Sequence, residues 1–269
     1  AKAMFKLRCL LTDTGIEPKT ALKLFDQLIK PIALYGSEIW GPGKLSASLQ
    51  NKQMLSKSFS KMSCEKVNLS FCRSILGVHK KAQNSAVLGE LGRYPLGLDV
   101  AANAILYLKH LLSGKANRLL VDALLCDTSL PERVAWTHRV NRLEQYIFHG
   151  KSSNHRTRHS IKRILQDEYK TYWLGLIRSE RKMRTYITFK SHFTMENYLS
   201  LLPLEHRRFF SRFRISAHKL AIERGRYTRP PTPVEKRTCP HCPDKVEDEL
   251  HVLTQCHKLS AQRTCLFTN

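Results

Sequence analysis

The sequence predicts a mostly α-helical protein. Apolar residues recur at intervals of three and four, the spacing that places them on one face of a helix. Glycine and proline interrupt this pattern and separate it into helices of ordinary length. The short YITF segment at 186–189 is the only candidate for a strand. With 269 residues and 42% hydrophobic side chains, the chain can build one large domain or two ordinary ones.

The first helical segment covers residues 18–40 and begins near Pro18. Pro31 should kink or divide it, because proline removes a backbone donor and clashes with the preceding turn. The GPGK stretch at 41–44 predicts a break. A second helix is expected from about 54 to 76, before Gly77. Three further helical segments are expected in this half. The first starts near Asn84 as a cap, the second covers residues 99–127 with a Ser-Gly break at 113–114, and the third starts at Pro131.

The polar run HGKSSNHRTRHS at 149–160 contains no apolar residue and is the best internal boundary. The helices expected after it are 161–180, a short one from Thr194 as a cap, and a long one over 203–225. The stretch GRYTRPPTPVEKRT at 225–238 has three prolines and no periodicity, which predicts a loop.

The charge distribution indicates a polyanionic partner. The chain has 45 Lys+Arg against 22 Asp+Glu, a formal net charge of +23. Residues 150–238 alone carry a net +14. We therefore expect nucleic acid, RNA or DNA, as the partner. An anionic membrane is not expected, since there is no basic amphipathic anchor and no apolar span of about 20 residues.

The eight cysteines do not resemble a disulfide framework, because most are scattered through segments with helical patterns. The start of the chain is too polar and too interrupted for a secretory signal. We therefore expect an intracellular location, nuclear or cytoplasmic or both.

A metal site is predicted near the C-terminus, where the spacing is Cys239-x2-Cys242-x8-His251-x4-Cys256. Three thiolates and one imidazole complete the tetrahedral shell of zinc and leave no position for substrate, which indicates a structural Zn2+. The helix that carries His251 must loosen before Cys256 for both side chains to converge. The alternative is that these are buried cysteines with no ligand role.

Neighbouring residues have simpler interpretations. Leu250 and Leu253 are expected to pack this helix. His241 and His257 are spare imidazoles, which we expect to be exposed or to lie just outside the ligand shell; the alternative is that either substitutes as a ligand. The acidic run 247–249 is expected to be a solvated helix start, where negative charge suits the helix dipole.

Phosphate contacts are predicted on the basic helix that precedes the cysteines. There, arginines alternate with phenylalanines, so the helix can bury its rings and present guanidinium groups to phosphates. The alternative is a solvated basic face over a phenylalanine core. The predicted contact residues are Arg207, Arg208, Arg212, Arg214, Arg224, Arg226, Arg229, Arg181, Lys182 and Arg184.

No catalytic constellation is visible in the sequence. There is no glycine-rich phosphate loop, and no pair of aspartates follows a strand, as two-metal nucleotidyl transfer requires. We therefore expect no enzymatic activity from this chain by itself.

Five blocks carry a family resemblance. In chain order they are ALKLFDQLIKPIALYGSEIWG (21–41), FCRSILGVHKKAQNSAVLGELGRYPL (71–96), KMRTYITFKSHFTMENYL (182–199), RRFFSRFRISAHKLAIERGRY (207–227) and CPHCPDKVEDELHVLTQC (239–256). Together they resemble the C-terminal portion of LINE-type, non-LTR retrotransposon reverse transcriptases. The resemblance covers nearly the whole chain, and the first, second and last blocks are the specific ones.

The resemblance implies a division into a thumb-like helical segment (1–80), a helical connecting region (81–149), a basic helical region (150–238) and a zinc knuckle with its tail (239–269). It implies that Cys239, Cys242, His251 and Cys256 are zinc ligands. The family's catalytic aspartates and endonuclease have no counterpart here.

The implied function is binding of template, primer or target nucleic acid beside the rest of the reverse transcriptase polyprotein. The alternative is a domesticated or degenerate remnant that acts as a zinc-stabilised protein-interaction module.

Overall fold

The computed structural model describes residues 4–7, 9, 15–50, 55–149 and 157–267. The mostly α-helical prediction is confirmed. The helices are α1 (Pro18–Leu28), α2 (Lys30–Ala33), α3 (Ser37–Gln50), α4 (Leu55–Phe59), α5 (Ser63–Leu76), α6 (Asn84–Glu90), α7 (Gly97–Leu112), α8 (Arg118–Thr128), α9 (Trp136–Phe148), α10 (Arg158–Ser179), α11 (Tyr186–Phe189), α12 (Tyr198–Leu201), α13 (Leu204–Arg214), α14 (Ala221–Arg224), α15 (Glu249–Thr254) and α16 (Ser260–Phe267).

The N-terminal helices meet one prediction and contradict another. Pro31 divides the first segment as expected, because it lies in the first turn of α2, where its missing N–H costs nothing. The predicted break at 41–44 is wrong: Pro42 lies inside α3. Here α3 packs on α7 so closely that a Cβ on Gly41 would lie 2.2 Å from Val100 Cγ1. Tertiary packing therefore outweighs the poor helix propensity of the GPGK stretch.

In the middle of the chain, the single helix predicted from about 54 to 76 is divided by a turn at 60–62 into α4 and α5. Its end before Gly77 and the Ser-Gly break between α7 and α8 are as predicted. Asn84 is the first residue of α6 instead of its cap. The predicted helix start at Pro131 is wrong, since residues 131–135 form a turn and α9 begins at Trp136. The side chain of Asp127 accepts from the Trp136 and Thr137 backbone N–H groups, which fixes the start there.

The polar run at 149–160 lies partly outside the described residues. Helix α9 ends before His149, and α10 begins with a reciprocal capping pair between Thr157 and Ser160. The segment 186–189, the one candidate for a strand, is instead the short helix α11. Tyr186 at its start is buried, and its hydroxyl donates to the Ala86 carbonyl.

The long helix predicted over 203–225 is wrong, because the chain turns sharply between α13 and α14. Ser216 adopts a positive φ of 52° at the turn, and the Ala217 N–H donates to the Arg212 carbonyl. The hydroxyl of Ser216 donates to Glu249, far along the chain, which holds the turn in place. Beyond α14, residues 225–238 form the predicted loop, which contains one 3-10 turn at Val234–Lys236.

The core is continuous over most of the described chain. Buried apolar side chains from Leu7 to Ala217 form one cluster, in which α10 supplies the fully buried Trp173. The indole N–H of Trp173 donates to the Ser85 carbonyl, which joins α10 to α6. The cysteines at 239, 242 and 256 form a second, separate cluster.

Candidate metal centre and adjoining basic surface

A short antiparallel hairpin positions the first two cysteines. Strand β1 (Thr238–Cys239) pairs with β2 (Cys242–Val246), and Cys239 lies opposite Cys242 across the tight turn. The sequence predicted no strand here, because two residues are too few to show alternation. The hairpin therefore directs both sulfurs to one side, where the next helix meets them.

Helix α15 and its end supply the other two side chains. The Asp248 carboxylate caps α15 by accepting from the backbone N–H of His251 at 2.8 Å. The helix ends at Thr254, and both Gln255 and Cys256 donate their N–H to the His251 carbonyl. The predicted loosening before Cys256 is confirmed.

The four side chains form a group that can hold a metal ion. Their donor atoms all lie within 4.8 Å of one another, and all four residues are buried. The Sγ atoms of Cys239 and Cys256 lie 3.9 Å apart. That separation is far too long for a disulfide, and it matches the edge of about 3.8 Å expected for a tetrahedral site with Zn–S bonds of about 2.3 Å.

The imidazole of His251 gives independent support. Both of its nitrogens are buried and have no hydrogen-bond partner. Because buried polar atoms are nearly always paired, such an orphan imidazole fits a metal ligand. Burial raises the pKa of the Cys239 thiol. At Cys256 the pKa is lowered despite burial, chiefly because the Lys258 backbone N–H donates to its sulfur, which favours the thiolate that a metal binds.

Near the cluster, the two leucines of α15 contradict an expectation, whereas the two spare histidines meet theirs. Leu250 and Leu253 are exposed, so they do not pack α15 against a core. His241 and His257 are exposed, as expected, and lie outside the four-residue group. The short helix is held by its cap and by the buried side chains of Glu249 and His251 instead of by an apolar face.

Glu249 was predicted to be solvated, and that prediction is wrong. Its carboxylate is completely buried and accepts from Arg184 Nη2 at 2.6 Å, from His218 Nε2 at 2.7 Å and from Ser216 Oγ at 2.8 Å. Burial alone would raise the pKa of Glu249, but the His218 hydrogen bond and the Arg184 charge lower it to about 2. Glu249 therefore ties α15 to the helical core, and no signal in its sequence context indicates this role.

Two arginines of the predicted phosphate-binding set lie in the interior. Arg207 donates to the carbonyls of Leu199 and Gly15. Arg214 contacts the buried carboxylate of Glu90 at 3.1 Å and that of Glu196 at 2.9 Å. Both guanidinium groups thus satisfy buried acceptors, and we assign these residues to the fold instead of to phosphate contact.

Three more of the set surround Glu223, which is itself buried. Lys182 Nζ lies 3.6 Å from this carboxylate, Arg184 Nη1 lies 3.4 Å away and Arg226 Nε lies 3.0 Å away. Lys182 is buried, whereas Arg184 and Arg226 are partly exposed. These cations neutralise one acid and connect α14 to the segment before α11.

The remaining members face solvent. Arg181, Arg212, Arg224 and Arg229 are exposed, and Arg208 is half-buried. The phenylalanines of α13 contradict the prediction that they are buried: Phe209 and Phe210 are exposed, and Phe213 is half-buried. The arrangement is therefore partly the reverse of the one expected: Arg207 and Arg214 lie on the inner face of the helix, and Phe209 and Phe210 lie on its outer face.

Part of this exposed surface lines one cleft, which we call the basic cleft. It has a volume of about 1000 Å³ and is lined by parts of 77–81 and 209–227 and by Val252 of α15. Its cationic side chains are Lys81, Arg212, Lys219 and Arg224, and its acidic one is Glu223. Sequence reasoning missed Lys81, since residues 77–81 are distant in the chain from the basic helix. It also missed Lys219, which lies within the predicted helix over 203–225.

Comparison with known proteins gives no relative: no protein-family model, curated protein or solved structure matches the chain. None of the helices in the described ranges has both the length and the apolar character needed to cross a membrane.

Proposed function

We propose that this chain is a nucleic-acid-binding region that grips phosphates through the basic cleft, with a structural zinc ion beside it. The observation that carries the proposal is that four cationic side chains line one cleft, beside α15. The chain as a whole has a net charge of +23. Because the acid in the lining, Glu223, is already neutralised by three cations, the cleft favours an anion.

Zinc is the metal that best fits the donor set. Cysteine thiolates and imidazole select zinc over magnesium or calcium, which prefer oxygen ligands. When bound, the ion would supply a fixed crosslink between the β1–β2 hairpin and the end of α15. The chain's own residues then do the rest: Glu249 holds α15 to the core, and this contact holds Val252 at the wall of the cleft.

The order of the five sequence blocks supports a place in the C-terminal portion of a LINE-type reverse transcriptase. In that setting the partner is RNA or DNA together with the rest of the polyprotein, and the location is intracellular, in the nucleus, the cytoplasm or both. The role is to support template, primer or target DNA, with no polymerase activity from this chain alone.

The test is the salt dependence of nucleic-acid binding. For four phosphate contacts, a plot of log K against log salt should have a slope of roughly −3 to −3.5. Filter binding at about 50 and 200 mM salt should therefore show a loss of roughly 50-fold or more, with little dependence on sequence.

A pair of double variants locates the contact. Lys219→Ala with Arg224→Ala removes two cations of the cleft and should reduce the slope by roughly 1.5. Arg118→Ala with Arg133→Ala removes two exposed arginines elsewhere and is the matched control for net charge. Equal losses in both double variants, or no binding by the parent protein, would refute the proposal.

One observation favours the second candidate, a protein-interaction module. Four large apolar side chains are exposed near one another in the chain, at Leu28, Ile32, Tyr35 and Ile39. Reading the genomic sequence upstream discriminates the two candidates. An open frame that encodes palm motifs supports the polymerase region, whereas a separate promoter and exon supports a repurposed protein.

A further inference from the structure

We infer that the basic cleft accepts an unpaired nucleobase, so that the ligand is single-stranded nucleic acid; this inference rests on the proposed function. Phosphate contacts alone need only cations at a surface. The cleft offers more than that, because its lining combines four cationic side chains with several apolar and aromatic ones.

The interior of the cleft is apolar and large enough for a base. Its lining includes Val78, Phe209, Phe213, Leu220, Tyr227 and Val252. A volume of about 1000 Å³ is at the upper end of the range of small-ligand sites. A flat, partly apolar group is therefore the ligand class that the interior suits.

Two aromatic rings of the lining are left open to solvent. The Phe209 side chain is 69% exposed and that of Tyr227 is 50% exposed. Exposed rings beside cations are the arrangement by which proteins bind single strands, since every base has a face that can stack. Phe210, the neighbour of Phe209 on α13, instead packs on Tyr198 with ring centroids 5.2 Å apart and does not line the cleft.

Two of the cations that line the cleft are held by contacts with its other lining residues. Lys81 Nζ lies over one face of the Tyr227 ring, 4.6 Å from its centre, so a base would stack on the opposite face and a positive charge would lie close to it. The Nε of Arg212 donates to the Gly77 carbonyl at 2.6 Å, which fixes this guanidinium at the edge of the cleft. Phosphates held by these side chains would place the base between them over the apolar interior.

Duplex nucleic acid fits this arrangement less well. Bases in a duplex are paired and stacked inward, and removing one costs a few kcal/mol. A single strand presents its bases without that cost. The cleft should therefore prefer single strands of RNA or DNA to duplexes of the same length, although the duplex carries more charge.

A protein segment is the other class of ligand for an apolar cleft. It would have to combine apolar side chains with acidic ones to match four cations. Nucleic acid supplies both features in each nucleotide, and the net charge of +14 over residues 150–238 favours it. The experiment below makes the protein ligand a distinct outcome.

The experiment uses the full chain and single-stranded oligonucleotides of about 12 nucleotides, within the usual site sizes. One carries the fluorescent base 2-aminopurine, and a second of equal length has abasic positions throughout its centre. The parent protein should quench the 2-aminopurine on binding. It should also bind the abasic strand at least 5-fold more weakly than the intact one.

Variants at the rings identify the contact. Phe209→Ala and Tyr227→Ala should each weaken binding of the intact strand by 5-fold or more, and leave binding of the abasic strand nearly unchanged. Phe209→Trp should restore stacking, whereas Phe209→Leu should not. Phe210→Ala is the matched control, and it should keep full affinity and full quenching. Since Phe209 and Tyr227 are exposed, circular dichroism should show that these variants stay folded.

The outcomes separate the two proposals. Salt-dependent binding that is equal for intact, abasic and duplex ligands overturns the base site and leaves the proposed function standing. Binding that Phe209→Leu retains in full also overturns the base site, because an apolar surface then suffices, as it would for a protein ligand. No binding to any nucleic acid overturns both proposals.

Discussion

At the residue scale, the partner of a charged side chain decides its role. Arg207 and Arg212 lie one turn and a half apart on α13, yet Arg207 satisfies buried carbonyls and Arg212 lies at the edge of the basic cleft. Arg214 faces inward because its guanidinium donates to two carboxylates in the interior. Glu90 is more than 100 residues away from it in the chain, and Glu196 is 18 residues away. Local sequence shows the charges on α13 but cannot show these acceptors.

Alanine substitution should reduce the stability of the fold much more at Arg184 than at Arg181. Arg184→Ala leaves the buried carboxylate of Glu249 without its cation and should destabilise the fold by about 3 kcal/mol. Arg181→Ala removes an exposed charge and should change stability by about 0.5 kcal/mol or less. Denaturant unfolding measures both. A neutral Arg184→Ala would mean that Glu249 does not depend on this pair.

Glu65 should make the stability depend on pH. This carboxyl is buried and accepts from the Leu96 N–H at 2.7 Å. Burial raises its pKa from 4.5 to about 7, although Asn68, Leu96 and Arg93 oppose the shift. Because Glu65 keeps a proton in the folded state that it loses in the unfolded state, its contribution to stability should be fully present below about pH 4.5 and should be lost as the pH rises to about 7.

The shift corresponds to about 3 kcal/mol across that interval. Glu65→Gln cannot ionise and should lack this contribution. The measurement is the free energy of unfolding of both proteins at several pH values between 4.5 and 7. A constant difference between them over that range would contradict the raised pKa of Glu65.

At the element scale, close backbone contacts decide where helices stop and which residues are tolerated. Leu91 bridges to Met195 across a tight contact that brings the α6 end against the segment before α12. Gly92 has a φ of +55° there, and a Cβ at this position would lie 2.5 Å from Met195 N and 2.7 Å from Thr194 C. Only glycine fits both the left-handed conformation and the space.

Gly92→Ala should therefore destabilise by roughly 2–5 kcal/mol, from left-handed strain and overpacking together. Gly114 is the matched control: its φ is +73°, but no atom lies within 4 Å of a Cβ built on it. Gly114→Ala should cost only the conformational strain, about 1–2 kcal/mol. Thermal unfolding measures the stability of both variants. Equal losses of stability would show that Thr194 and Met195 can move to make room for the added methyl group at little cost.

At the scale of the whole molecule, there are two separate buried clusters joined by polar contacts. One is the helical core, and the other is the group of Cys239, Cys242, His251 and Cys256, called here the metal group. The joining contacts include those of Glu249 and the hydrogen bond from Ala221 N–H to the Glu247 carboxylate. The metal group has no large apolar side chains of its own in its cluster. Its order should therefore depend on the bound ion, whereas that of the core should not.

Native mass spectrometry of the zinc-loaded protein should show one ion per chain, and a strong chelator should remove it. Hydrogen exchange should then accelerate over 238–256, while α6 and α7 keep their protection. Cys242→Ser should have the same effect without chelator, and Cys64→Ser, at a buried cysteine of the main core, serves as the comparison. A chain that binds no zinc, or unfolds throughout on chelation, would contradict this separation.

The sequence by itself determined the helical class, the position of the basic segment and the four side chains that could hold a metal ion. These follow from apolar periodicity, net charge and ligand spacing, which are all properties of short segments. The continuation of α3 through Pro42, the turn at Ser216 and the burial of Glu249 were decided by the tertiary structure. Each depends on a partner far along the chain. The partner is Val100 for α3, Glu249 for the turn at Ser216, and Arg184 and His218 for Glu249. Packing and burial, which act between distant segments, decided them.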